Sequence, residues 1–137
     1  MKKNETIFNL ISRDLITLKL SDTLYTAEKR LKTNHIRHIP VLNDNKLHGI
    51  ISLTDLQRIS FADGYNSSEK DVDYVIYDLL TLEQVMIKNP ITVQIKDSVK
   101  KAGTIIVQHD FHALPVVEGE LLVGIVTSTD LLKYLIS

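Results

Sequence analysis

The chain contains one pattern twice. Shifted by 75 positions, Leu10–Ser60 lies over Val85–Leu135 without a gap, and self-similarity of this kind means one supersecondary unit used twice. Identities fall at Ile16/Ile91, Thr17/Thr92, Asp22/Asp97, Ala27/Ala102, Pro40/Pro115 and Val41/Val116. They continue at Leu47/Leu122, Gly49/Gly124, Ile50/Ile125, Thr54/Thr129, Asp55/Asp130 and Leu56/Leu131. Elsewhere one apolar residue replaces another, as at Leu18/Val93, Leu31/Ile106 and Ile51/Val126. A chance alignment does not keep apolar character and turn residues in step over such a length. The spacing predicts repeat 1 over 1–60, an acidic connector over 61–81 and repeat 2 over 82–137, together forming one compact unit.

Each repeat reads β-α-β-β-α, an α+β class. Ile16–Leu20 and Ile91–Ile95 alternate apolar and polar residues, the period of a half-buried strand. Asp22 and Asp97 then stand where a helix N-cap is wanted. Leu24, Ala27 and Leu31, like Val99, Ala102 and Ile106, recur at the spacing of one buried helix face. Second strands are predicted over Ile36–Leu42 and Phe111–Val117, and third strands over Leu47–Ser52 and Leu121–Thr127. A final helix begins near Asp55 or Asp130. A three-stranded sheet with helices on one face leaves the other face uncovered, so the two copies are expected to pack about a pseudo-twofold axis.

Charge and composition narrow the function. The net charge is −1, which disfavours nucleic acid as a partner, since affinity there rests on neutralising phosphates. Its distribution is uneven: residues 1–60 carry ten Lys/Arg against six Asp/Glu, whereas 61–84 are acidic. The acidic stretch reads as a solvated connector or a docking surface for a basic partner. Within it Tyr74, Ile76, Tyr77, Leu79 and Leu80 suggest an amphipathic helix packed on the rest. The chain has no cysteine, which excludes disulfides and thiolate metal sites. No stretch approaches the roughly 18 apolar residues of a membrane helix, and Asn9, Ser12, Arg13 and Asp14 interrupt any apolar core after Met1, so no signal peptide is expected. A cytoplasmic protein without membrane insertion is expected. His35/His38 and His109/His112 have H-x-x-H spacing, but on strands such residues face opposite ways, so no metal site is expected.

Chemistry concentrates in Gly49-Ile50-Ile51-Ser52-Leu53-Thr54-Asp55 and its copy Gly124-Ile125-Val126-Thr127-Ser128-Thr129-Asp130. In each, a strand runs into hydroxyl residues and then an acid at a helix start. A helix N-terminus offers unpaired N–H groups and partial positive charge, which suit phosphate. Ser52 or Thr127 adds a hydroxyl there. The acids Asp55 and Asp130 would repel phosphate but suit a ribose diol, and the two glycines permit close backbone approach. The competing reading is that these residues only cap helices; their recurrence in both copies favours a site.

The run Asp97-Ser98-Val99, then Ala102, Leu114-Pro115-Val116-Val117 and Gly124-Ile125-Val126-Thr127-Ser128-Thr129-Asp130-Leu131, resembles the CBS-domain family. Leu82–Val93 is similar to that family's usual lead-in to a repeat. The resemblance covers nearly the whole chain. It implies a tandem pair binding AMP, ADP, ATP or a related adenosyl ligand in the cleft between the repeats, without catalysis and with no required cofactor. It also implies dimers of pairs and regulation of an enzyme or transporter. The Ser/Thr-x-x-Asp motif maps onto Ser52 with Asp55 and Thr127 with Asp130, and includes Thr54 and Thr129. First-strand pocket residues map onto Ile16 and Thr17, and onto Ile91 and Thr92. Polar or basic residues ahead of the second-strand proline map onto Arg37 and His38, and onto His112; Ala113 stands where the family has a basic residue. A protein-interaction module with a vestigial nucleotide site is the alternative. Leu131, Leu132, Tyr134, Leu135 and Ile136, with Ile105 and Val107, give more apolar surface than one small unit buries, so a homodimer through helices is expected.

Overall fold

The computed structural model describes residues 5–12, 14–63 and 76–137; Tyr74 and most of the acidic stretch lie outside the described residues. The chain divides into two compact units. The first is Ile16–Asn89, and the second joins Pro90–Ser137 to the N-terminal segment that ends at Leu15. Packing boundaries thus differ from the boundaries of the duplication, because each repeat's lead-in segment belongs to the other repeat's unit.

In the first unit β1 (Leu18–Lys19) leads to α1 (Leu24–Thr33), β2 (His38–Asn43), β3 (Lys46–Ser52) and α2 (Leu53–Asp63), followed by α3 (Leu82–Val85) and β4 (Ile87–Lys88). The sheet order is β1-β2-β3-β4. β1 runs parallel to β2, in the register Leu18↔Val41, and the other pairs are antiparallel. Asp44 and Asn45 both adopt positive φ, 50° and 66°, which closes the β2–β3 hairpin with the handedness that twisted strands need. Pro40 precedes the register at which β1 joins β2, so β2 is paired on one side only where its missing N–H falls.

The second unit repeats this plan with β5 (Val93–Gln94), α4 (Val99–His109), β6 (Ala113–Glu118), β7 (Leu121–Thr127) and α5 (Ser128–Ile136), in the sheet order β5-β6-β7. The N-terminal segment takes the place of α3 and β4. Ile7–Asn9 forms a 3-10 turn, and Ser12 bridges Ile125 as Ile87 pairs with Ile50 in the first unit. The exit from each repeat's first long helix is also matched: His35, two residues past α1, and Asp110, directly after α4, are both left-handed, at φ 53° and 56°.

Burial follows the expected faces. Leu24, Ala27 and Leu31 on α1 are fully buried, and Ala102 and Ile106 on α4 lie in the second core. Ile76 and Tyr77 are buried in the first core, where the Tyr77 ring meets Tyr25 edge-on at 5.2 Å. Leu80 packs beside them while Leu79 is exposed, so the end of the connector is a packed amphipathic turn rather than a solvated tether.

Two local readings are corrected. Thr23 and Ser98, not Asp22 and Asp97, cap α1 and α4 by accepting from the Thr26 and Lys101 amides. The aspartates reach backwards instead, accepting from the Lys19 and Gln94 amides at 2.8 Å. A short carboxylate can close a turn on the preceding backbone as readily as start a helix, and here the hydroxyl one residue later takes the cap. Gly49 and Gly124 have a packing role: an added Cβ at Gly49 would lie 2.5 Å from Met86 Sδ and 2.8 Å from the Ile87 carbonyl oxygen. At Gly124 it would lie 2.9 Å from Ile11 Cδ1 and 3.0 Å from the Ser12 carbonyl oxygen. Each glycine admits the other repeat's lead-in segment.

Candidate functional site

Sheet topology gathers the candidate residues at one end of each unit. Parallel pairing of β1 with β2 and antiparallel pairing of β2 with β3 bring the starts of β1 and β2 beside the end of β3. Ile16 and Thr17 precede β1, Arg37 and His38 stand at the head of β2, and Ser52, Thr54 and Asp55 follow from β3 into α2. His38 pairs with Ser52, and the Leu53 amide donates to the Arg37 carbonyl at 2.9 Å. The second unit repeats the grouping with Ile91 and Thr92, His112, and Thr127, Thr129 and Asp130. There Ala113 pairs with Thr127, and the Ser128 amide donates to the His112 carbonyl at 3.0 Å.

The hydroxyl–acid pairs form reciprocal caps. The Asp55 amide donates to Ser52 Oγ at 3.0 Å, and the Ser52 amide donates to Asp55 Oδ2 at 3.0 Å. Thr127 and Asp130 make the same exchange at 3.1 and 2.8 Å. This is the capping box, with the acid in place of the commoner Glu or Gln. Final helices therefore begin at Leu53 and Ser128, just ahead of the acids rather than at them.

Capping and ligand holding are compatible here, because each cap consumes one carboxylate oxygen. Asp55 is only 6% exposed, and its Oδ1 lies 3.6 Å from the guanidinium of the exposed Arg58. An ion pair with such an exposed partner is worth little, so Oδ1 remains available to a stronger donor. In the first turns, the Leu53 and Asp55 amides are used internally, as are those of Ser128 and Asp130. Among the described residues the Thr54 and Thr129 amides have no internal acceptor. They point to the partial positive charge of a helix start, where anions are favoured.

The remaining candidates differ in setting. Thr54, Thr129, Arg37 and His112 are exposed, and His38 and Thr92 are half-buried. Ile16 packs on the first core, whereas Ile91 is exposed. Thr17 offers its carbonyl to Arg30 Nη1 at 2.6 Å. Sequence reasoning did not single out Arg30, whose signal would have been a charged residue at a helix position that the second repeat fills with Ile105. Among the described residues no helix is long and apolar enough to cross a membrane.

The CBS domain family matches this chain at residues 7–61 and 82–137, and the chain belongs to that family as a tandem pair. MJ1225 of Methanocaldococcus jannaschii is 32% identical over 133 residues, 96% of this chain. The chain spans 48% of that relative, about half its length. The crystal structure of MJ1225 superposes with a TM-score of 0.81, covering 98% of this chain and 49% of that one. CBSX2 in complex with AMP shares the fold at 22% identity and a TM-score of 0.80, covering 96% of both chains. So does the CBS domain pair of MJ0100 in complex with 5′-methylthioadenosine and S-adenosyl-L-methionine. It is 24% identical with a TM-score of 0.77, covering 95% of this chain and 94% of that one.

Proposed function

We propose that the chain is a regulatory module that binds an adenine nucleotide or related adenosyl ligand and has no active site of its own. The observation that carries this reading is duplication of one set of groups at the sheet end of both units. In each, a spare helix amide and a hydroxyl suit phosphate, an acid with one oxygen uncommitted by its cap suits a ribose diol, and a strand lead-in is available to the base. Ligands of this class in CBSX2 and the MJ0100 pair support it. The ligand would act as a signal, with occupancy passed to an enzyme or transporter.

Ligand specific to the folded state stabilises it by mass action, about 2.7 kcal/mol at a hundredfold excess over Kd. A thermal-shift panel of AMP, ADP, ATP, S-adenosylmethionine, NAD and cyclic dinucleotides is the test. A shift with at least one adenosyl compound is expected. No shift with any of them overturns the reading in favour of a protein-interaction module.

Assembly belongs to the same proposal. On α5, Leu132, Leu135 and Ile136 are exposed, as is Val107 on α4, whereas Leu131 and Ile105 pack inward on the second core. A neighbouring set of exposed apolar residues on one helix suits association with a second copy. Sedimentation is expected to give a dimer that Leu132→Glu dissociates, and a wild-type mass of 15.5 kDa at tens of micromolar overturns it.

A further inference from the structure

The two candidate sites differ at one backbone carbonyl. In the first unit, Arg30 on α1 donates from Nη1 to the Thr17 carbonyl at 2.6 Å. The same nitrogen lies 3.5 Å from Asp22 Oδ2, and that carboxylate also accepts from the Lys19 amide. This guanidinium–carboxylate pair ties the lead-in of β1 to α1. In the second unit the matching position is Ile105, which packs against the core and has no donor. Asp97 keeps its turn with the Gln94 amide and pairs with Lys101 Nζ at 3.2 Å. Among the described residues nothing donates to the Thr92 carbonyl.

From this difference, and resting on the nucleotide reading above, we infer that Arg30 makes the two sites select bases differently. The open Thr92 carbonyl favours a base that carries an exocyclic amine, while the Thr17 carbonyl, already bonded to Arg30, gives such an amine no advantage. A carbonyl oxygen has a second lone pair, but beside a bound guanidinium it is a poor acceptor for another partly positive hydrogen. An oxo group in place of the amine presents a second acceptor to Thr92, and an acceptor facing an acceptor is repelled. Near Thr17 the cation tolerates either group. Arg30 is thus a positioning residue, acting through the Thr17 carbonyl.

Nitrogen-15 NMR of the full chain reads both sites at once. The Ser52–Asp55 amides report the first and the Thr127–Asp130 amides the second. Titration with AMP and with inosine 5′-monophosphate compares amine with oxo. The second set is expected to favour AMP by about three- to tenfold, the range of one net hydrogen bond, and the first set to show a ratio near unity. Arg30→Met brings the first ratio towards the second, and Arg30→Lys, which keeps a donor, holds it near unity. A purely structural role for Arg30 would weaken both nucleotides alike. Equal ratios at the two sites of the wild type overturn the inference even where Arg30→Met folds poorly, as does an unchanged first ratio in a folded Arg30→Met. Absence of any AMP-induced shift overturns the nucleotide reading itself, and the selectivity with it.

Discussion

Tyr134 donates its phenolic hydrogen to the Glu5 carboxylate at 2.6 Å across a sequence separation of 129 residues. The bond joins the last helix to the first described residue. Around it the Val99 amide donates to the Glu5 carbonyl at 2.7 Å, Thr6 bridges Ser98, and the Ile7 amide donates to the Asp97 carbonyl. The N-terminal segment is therefore a structural part of the second unit, not an appendage.

Ile7 is the measure of that statement, since it is fully buried in the second core. Truncating a fully buried Ile to Ala typically costs about 2–5 kcal/mol. Ile7→Ala is expected to fall in that range by denaturant unfolding, while Asn9→Ala, at an exposed position, stays within about 0.5 kcal/mol of wild type. Equal stability for the two variants would refute the segment's role.

The same tie predicts an alkaline effect. The Tyr134 pKa is raised above the ordinary 10.0, first because the phenol donates to Glu5, then through burial and the negative charge of Glu5. A group with a raised folded pKa contributes stability that is fully present below its unfolded value and is lost as pH climbs through the folded one. The Glu5–Tyr134 bond is thus intact at neutral pH and breaks only in strongly alkaline solution. In near-ultraviolet titration, the phenol missing from Tyr134→Phe should be one of the late ones, and Glu5→Gln should move it down towards 10. A phenol that titrates with the ordinary tyrosines contradicts the bond.

Helix faces and the succession of strands and helices were legible because each is a local period written twice. Leu24, Ala27 and Leu31 needed only helical spacing, and Pro40 and Pro115 marked matching strands. The exchange of lead-in segments was not legible, for the apolar runs Ile7–Ile11 and Leu82–Met86 are too short to say which repeat buries them, and that is decided by distant packing. Once the exchange is known, Gly49 and Gly124 read as the positions that admit Met86 and Ile11. At the candidate site the hydroxyl–acid spacing was visible, but both its capping and its ligand readings predict that spacing. Their geometry shows a cap using one carboxylate oxygen, a detail no spacing contains. Arg30 escaped notice because comparison of the repeats favours residues that match, and its importance lies in a mismatch with Ile105.

Asp55 and Asp130 allow the cap to be separated from the proposed diol. Removing the acceptor of the Ser52 amide with Asp55→Ala is expected to cost about 0.5–1.5 kcal/mol of stability, the net worth of one hydrogen bond. Asp55→Asn keeps an oxygen for the Ser52 amide but loses the charge, so it should retain most of that stability. A charge-assisted hydrogen bond contributes roughly 1.5–3 kcal/mol, so Asp55→Asn should still weaken AMP at the first site by about tenfold or more. Asp130→Asn should do the same at the second. Calorimetric titration beside thermal melts checks both, and wild-type affinity in the double Asn variant would leave the acids with capping alone.

The last expectation concerns phosphate number. Arg37 is exposed at the head of β2, beside Ser52 and the spare Thr54 amide, and His112 is its counterpart beside Thr127 and the Thr129 amide. Every added phosphate brings negative charge that must be met by cations or helix amides. A guanidinium meets it with a permanent charge and a two-pronged donor, a fork that an imidazole does not offer. The first site should therefore prefer ADP or ATP, while the second should be satisfied by AMP. Arg37→Ala is expected to remove the first site's preference for added phosphates while AMP still binds there. Isothermal titration of that variant and wild type with ATP and AMP measures the ratio, and an unchanged ratio refutes the assignment. Because Arg30 contacts the lead-in of β1 and Arg37 stands at the head of β2, the two substitutions should act on different parts of the ligand. Arg37→Ala should leave the AMP-to-inosine-monophosphate ratio at the first site unmoved, and Arg30→Met should leave its ATP-to-AMP ratio unmoved.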